Sequence, residues 1–146
     1  ASKIANGREA VESANDIKIE STKRKLLIVA KKNGSNTIMS SISPFDESID
    51  GDWKSSTEQV RNLILETLRR KSSLIQFESS ESLEIIDSIS FRKFVILGRD
   101  NGKVIFNSVM LNKLYKGYDF MINYVFANET IGKEIAEMLK SSKFSK

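Results

Sequence analysis

The sequence predicts an α+β fold, an antiparallel β-sheet flanked by helices, and three observations carry that expectation. Apolar, strand-like runs are joined by Asn33-Gly34, Asp100-Asn101-Gly102 and Lys116-Gly117, where tight hairpin turns are favoured. Between the first hairpin and the later strands, Val60, Leu63, Ile64 and Leu68 recur at helical spacing. Finally, an alternating aromatic run from Tyr118 to Phe126 leads directly into a second helical pattern.

Taken in order, residues 1–15 are polar and carry only a weak stripe of Ile4, Ala5, Ala10, Val11 and Ala14. They read as a mobile N-terminal segment ahead of one domain spanning 16–146. Ile17-Lys18-Ile19 alternates as the start of a short strand. Lys25 to Lys32 encloses the apolar run Leu26–Ala30 and reads as a strand, with Asn36 to Ser43 returning after the Asn-Gly turn. The only proline, Pro44, ends that strand. Residues 44–56 then form a polar loop, with Phe45, Ile49 and Trp53 expected as buried anchors. Ser55 and Ser56, three residues before Glu58 and Gln59, make overlapping capping boxes for a helix running to about Ser72. Arg61, Asn62, Glu66, Arg69 and Arg70 fall on its polar side.

An all-β stretch follows. Leu74–Phe77 and Leu83–Ile86 read as two short strands separated by the polar Glu78–Ser82. Ile89–Leu97 and Lys103–Tyr115 read as long central strands. In the last strand Tyr118, Phe120, Ile122, Tyr124 and Phe126 share one face. Asn128 is placed to cap a helix whose Ile131, Ile135, Met138 and Leu139 would cover that aromatic face.

Composition narrows the function. A chain of 146 residues with 40% hydrophobic and 29% charged content has the material for one ordinary core. No apolar run approaches the roughly 20 residues of a membrane-spanning helix. Net charge is +4, from 23 basic against 19 acidic residues, and the densest basic clusters are short. Such mixed charge argues for solubility rather than nucleic-acid binding. With no cysteine and no histidine, Cys or His nucleophiles, Cys/His zinc sites and histidine-based pH switching are excluded.

Several motifs dissolve on inspection. Counting Asp46 as the first position of a calcium loop puts Ser48, Asp50 and Gly51 in register, but the closing position is Thr57 rather than glutamate. Ser90 and Lys93 match a Ser-x-x-Lys pattern, yet on a strand they point to opposite faces. Gly98 and Gly102 lie at a hairpin end without the spacing or following helix of a phosphate loop. Asn128-Glu129-Thr130 matches a glycosylation sequon, and a helix cap accounts for it. Tyr115, Tyr118 and Tyr124 with Lys113 and Lys116 are too few for a single-strand stacking platform once the core takes its share. No catalytic, metal-binding or cofactor-binding residue emerges.

The closing run YKGYDFMINYVFANETIGKEIAEMLKSSKF resembles the end of PsbP-like domains and their Mog-type relatives. Ser141-Ser142-Lys143-Phe144 stands where that family has a terminal Ser-Phe-like segment, and NGKVIFNSVMLNKLYKG resembles its penultimate hairpin. The resemblance covers the last two-thirds of the chain. The N-terminal part departs from it: the family's proline-and-tryptophan opening is missing, and the single Trp53 comes much later. The resemblance implies an α/β/α sandwich, a non-catalytic accessory role towards a protein partner, and a bacterial, exported setting in preference to a cytoplasmic one. The chain begins at Ala1 without methionine, which fits removal of a signal peptide or trimming upstream.

The functional expectation is therefore a non-enzymatic binding or accessory domain. An intracellular adaptor, chaperone or immunity-type protein is the alternative, and an enzyme working with carboxylates or hydroxyls alone is a third. Loops carry function on rigid scaffolds, so contacts are expected on the loop at 44–56 and the hairpin end at 98–102. The residues expected there are Asp46, Asp50, Asp52, Trp53, Arg99 and Asp100.

Overall fold

Hairpin turns set the framework. In the computed structural model, which describes residues 24–32 and 36–144, three two-residue turns join consecutive strands. They are Asp87-Ser88 (φ 48° and 63°), Asn101-Gly102 (47° and 79°) and Lys116-Gly117 (49° and 77°). Positive φ at both positions matches the turn to the right-handed twist of the flanking strands. The polar segment at 1–15, the Ile17–Ile19 strand and the Asn33-Gly34 turn lie outside the described residues.

The elements run β1 (Lys25–Lys32), β2 (Asn36–Pro44), α1 (Glu47–Asp50), α2 (Trp53–Lys71), β3 (Gln76–Ile86), β4 (Ile89–Asp100), β5 (Lys103–Tyr115), β6 (Tyr118–Phe126) and α3 (Glu129–Lys140). The six strands among the described residues form one antiparallel sheet in the order β1-β2-β6-β5-β4-β3. Strands β3 to β6 are a meander. The β1–β2 hairpin adds to its open side through β2 and β6, paired from Thr37↔Val125 to Pro44↔Tyr118. The α1–α2 segment carries the chain from β2 across to the far edge, β3.

Strand alternation divides the core in two. Phe91, Val109, Leu111, Ile122 and Tyr124 pack on one face with Leu139 and Ile135 of α3. Phe94, Ile96 and Met110 point the other way and pack with Ile64, Leu65 and Leu68 of α2. Because neighbours along β4 and β5 serve opposite clusters, the helices lie on opposite faces of the sheet. The result is the α+β sandwich that the resemblance implied.

The C-terminal helix covers the aromatic face of β6, as expected. Gly132 is what lets it approach: a Cβ there would sit 2.4–2.7 Å from three ring atoms of Phe126. The terminal segment completes this face, where Phe144 meets the rings of Phe91 and Phe120 at centroid distances of 5.8 and 6.0 Å. Its backbone N–H donates to Asp87 Oδ2 at 2.8 Å, which ties the chain end to the β3–β4 turn. Tyr118 and Met138, expected to face the core, are about half exposed. Tyr118 opens β6 at the end of the sheet, and Met138 is turned outward next to Leu139, which takes the core position.

Further expectations are corrected. β3 is continuous from Gln76 to Ile86, with Glu78–Ser82 paired residue by residue to Leu97–Lys93. An edge strand borrows its order from β4 and leaves these polar side chains in solvent, so a polar run does not break it. The loop after Pro44 contains the short turn α1, and α2 starts earlier than the serine capping boxes suggest. Its cap is Asp52, whose Oδ2 accepts from Ser55 N at 2.8 Å and Ser55 Oγ at 2.7 Å. α2 is also rolled relative to its apolar stripe: Val60 is 54% exposed, while Thr57, Arg61 and Leu65 are buried. Ile49, expected as a buried anchor, is 81% exposed. Gly98 is not simply a hairpin-end glycine, because it stands inside β4 next to a bulge. A Cβ there would lie 3.0 Å from Phe77 Cε1 and 3.1 Å from Phe106 Cβ, within the edge-to-face pair those rings form.

Candidate partner-binding site

The end of the sheet beyond Pro44 is built from capped, rigid pieces. Asp46 caps α1 by accepting from Ser48 N at 2.9 Å and Ser48 Oγ at 2.6 Å through one carboxylate oxygen. Asp50 Oδ2 returns to the Asp46 N–H at 2.9 Å, and Glu47 Oε1 accepts from Trp53 N at 3.2 Å. The Phe45 N–H donates to the Gly117 carbonyl at 2.9 Å, which fastens this loop to the β5–β6 turn. Trp53, opening α2, donates its indole N–H to Asp119 Oδ1 on β6 at 3.0 Å. Two of these contacts, Phe45 to Gly117 and Trp53 to Asp119, tie the loop to the β5–β6 turn and β6, and the others brace it internally.

Between α1 and the β5–β6 turn lies an open concavity of about 660 Å³. Its apolar lining is Pro44, Phe45, Ile49 and Leu114, and its polar side chains are Asp46, Glu47 and Asp50. Tyr115 and Tyr118 stand exposed nearby, with the Lys116 ammonium drawn over the Tyr115 ring at 5.1 Å. Hydrogen bonds from the Ser48 hydroxyl and N–H hold the Asp46 carboxyl below the usual carboxylate range. Ser55 does the same for Asp52. Both caps are therefore ionised at neutral pH.

The residues that sequence reasoning grouped as contacts separate in space. Asp46 and Asp50 line the concavity, Asp52 is spent on capping α2, and Trp53 is half-buried against β6. Arg99 and Asp100 lie at the opposite end of the sheet, where Arg99 meets Glu78 at 3.5 Å and the Gly102 carbonyl at 3.5 Å. The β5 strand between the two ends has 13 residues, about 40 Å of rise. The structure does not bring the two loops together.

A second polar constellation lies under α2, and Arg61 is its centre at 3% exposure. Its guanidinium pairs with Glu81 of β3, donates to Asn112 Oδ1 of β5 at 3.2 Å, and sits 5.2 Å from the Phe94 ring centroid. Its Nε is buried without a hydrogen-bond partner. Desolvation, then the neighbouring Arg92 charge, push its pKa down, and Glu81 opposes them. Arg92 bridges Glu58 at 2.9 Å and Glu81 at 3.3 Å, lying 6.0 Å from the Trp53 ring. Sequence reading placed Arg61 on the solvent side because nothing local announces that Glu81 and Asn112 arrive beneath it. The network binds α2 to β3, β4 and β5. Among the described residues no group of three or more acidic side chains is arranged to hold a metal ion.

No protein-family model and no curated protein matches the sequence. Structural similarity does reach known proteins. The solution structure of cyanobacterial PsbP (CyanoP) from Synechocystis sp. PCC 6803 superposes with a TM-score of 0.56 at 12% identity, covering 86% of this chain and 78% of that one. A Pseudomonas aeruginosa protein of unknown function gives a TM-score of 0.46 at 6% identity, with 84% and 83% covered. The fold is PsbP-like, and at such identity the likeness extends to the fold alone.

Proposed function

We propose that this chain is a bacterial, non-catalytic accessory domain that binds a protein partner through the concavity between α1 and the β5–β6 turn. The observation that carries this reading is Ile49: a large apolar side chain held 81% exposed on a capped helical turn, beside an open apolar hollow. Apolar surface presented on a rigid ledge with a polar rim is the anatomy of a protein contact. The PsbP-like fold is compatible with an accessory role. The polar network under α2 is consumed in holding α2 to the sheet.

The test is a photo-crosslinking residue at Ile49 in the source cells, with a second at exposed Glu66 on α2 as control. The proposal expects one protein adduct specific to Ile49, lost when Phe45 is changed to serine in a chain that still unfolds cooperatively. Equal adducts from both positions, or none, would retire it. We also assign the domain to an exported, envelope-associated setting. No described helix is long and apolar enough to cross a membrane, so this rests on the fold likeness. Cell fractionation with the intact mass of the native protein decides it: a processed form in the envelope supports export, whereas an unprocessed cytosolic form favours an intracellular adaptor.

A further inference from the structure

We infer that this domain associates with a second copy of itself, the β1 edge of one copy lying antiparallel along the β3 edge of the next so that their sheets run on continuously. That edge contact is separate from the concavity between α1 and the β5–β6 turn. Among the described residues β1 and β3 are the two edges of the sheet, and an edge strand presents a row of backbone N–H and C=O groups to any strand that comes alongside. Both edges also hold apolar side chains in solvent. Leu26, Leu27, Ile28 and Val29 of β1 are 37–59% exposed, and Leu83 and Ile85 of β3 are 69% and 70% exposed.

The two edges are opposite in sign. β1 (KLLIVAKK) has lysine at both ends and no acidic residue, whereas β3 (QFESSESLEII) has Glu78, Glu81 and Glu84 and no basic one. Pairing β1 with another β1 would set the lysine ends against each other, and β3 with β3 would set glutamate against glutamate. Like charges across a strand pair destabilise it, and opposite charges support it. Glu78 and Glu81 each touch an arginine of their own chain, yet their side chains remain 59% and 47% exposed to a further cation. Geometry agrees with charge. The successive antiparallel pairings leave β1 and β3 running in opposite directions, so a copy displaced sideways, same face up, meets β3 with an antiparallel β1. One cross-strand row runs Leu26, Ser41, Met121, Asn112, Arg92, Leu83. Continuing that row sideways puts the next copy's Leu26 opposite Leu83 and its Lys25 opposite Glu84. The row that starts at Lys31 ends at Ser79, next to Glu78, the bulge between Leu26 and Ile28 taking up the offset. A head-to-tail contact of this kind is heterologous, and with twisted sheets it builds an open chain of copies.

Sedimentation velocity of the full chain over rising concentration tests this, with two variants and their mixture. Lys25→Glu with Lys31→Glu reverses the charge of β1, and Ser80→Lys with Leu83→Lys places cations at exposed positions of β3. The wild type is expected to sediment faster as its concentration rises, past the value for a dimer, and to lose association as salt is added. Each variant alone should sediment as a monomer while still unfolding cooperatively, because one of its two edges is blocked. Mixed in equal amounts they should form a dimer, the intact β3 of the first against the intact β1 of the second. A wild type that stays monomeric at every concentration overturns the inference, whatever the variants do, and would mean that β1 is covered within its own chain or by another protein. Association that persists in the β3 variant alone overturns it in favour of a symmetric β1 contact, and persistence in the β1 variant alone favours a symmetric β3 contact. A mixture of folded variants that stays monomeric overturns it as well.

Discussion

Tyr124 is 4% exposed beneath α3, and burial, helped by the charge of Glu84, pushes its phenol from 10.0 up to about 12. Below pH 10 the phenol is protonated whether the chain is folded or unfolded, and the full stability is present. Above it the unfolded chain ionises first, so stability falls as pH rises from 10 towards about 12. The gap corresponds to roughly 3 kcal/mol. Tyr124→Phe keeps the stacked contact with Phe126 at 6.0 Å and removes this loss. Urea unfolding of both proteins at about pH 8 and about pH 11 should show the wild type losing more stability than the variant, by an amount that grows towards the roughly 3 kcal/mol limit. An equal loss in both would mean the phenol is not held neutral. At the acid end the signs reverse for Asp46 and Asp52. Their lowered pKa values give stability that is present above the ordinary carboxylate range and lost as pH falls through the depressed values.

At the scale of elements, α3 and α2 are each seated on the sheet by one residue that the local sequence pattern would not choose. In α3 it is Gly132. Gly→Ala in a helix normally stabilises by about 1 kcal/mol, but here the added carbon meets the Phe126 ring at 2.4 Å. Displacing a packed side chain costs about 1–3 kcal/mol. Gly132→Ala should therefore destabilise by about 1 kcal/mol net, measured as a lower urea midpoint with unchanged slope; a gain would show that Phe126 swings aside freely. In α2 the residue is Arg61. Arg61→Ala removes its packing on Phe94 and leaves Asn112 without this donor, a loss of about 3 kcal/mol. Arg61→Met restores the apolar contact and avoids the cost of burying a charge, so it should recover at least about half of that loss. If methionine proves as damaging as alanine, the guanidinium pairings themselves hold α2, and the burial argument falls.

For the molecule as a whole, the antiparallel order decides which loops are neighbours. Loops after β2 and β5 share one end, and the β4–β5 turn lies at the other, separated by the 13 residues of β5. That distance is about 40 Å, several times the screening length of about 8 Å at physiological salt. Arg99→Ser and Asp100→Ser should therefore leave the crosslinking yield at Ile49 unchanged. A marked change would show the two ends acting as one surface.

Much of this architecture was legible along the chain. Turn chemistry at Asn101-Gly102 and Lys116-Gly117 announced two of the three described hairpins, because positive φ at consecutive positions restricts which residues serve there. The alternation of Phe120, Ile122, Tyr124 and Phe126, followed by helical spacing, announced α3 and the face it covers, since strand and helix periods are local properties. Asp46 and Asp50 were recognised as candidates from the density of carboxylates in one loop. Only the tertiary structure could decide what depends on residues distant in sequence. It ordered Glu78–Ser82 as an edge strand because β4 supplies the hydrogen bonds. It buried Arg61 because Glu81 and Asn112 meet it from separate strands. And it left Ile49 exposed beside a hollow whose walls come from the loop after β2 and the end of β5. The sequence by itself determined the periods and turns that make the layers. Which charges were neutralised, and which were left facing solvent, depended on pairings across the sheet that no local pattern encodes.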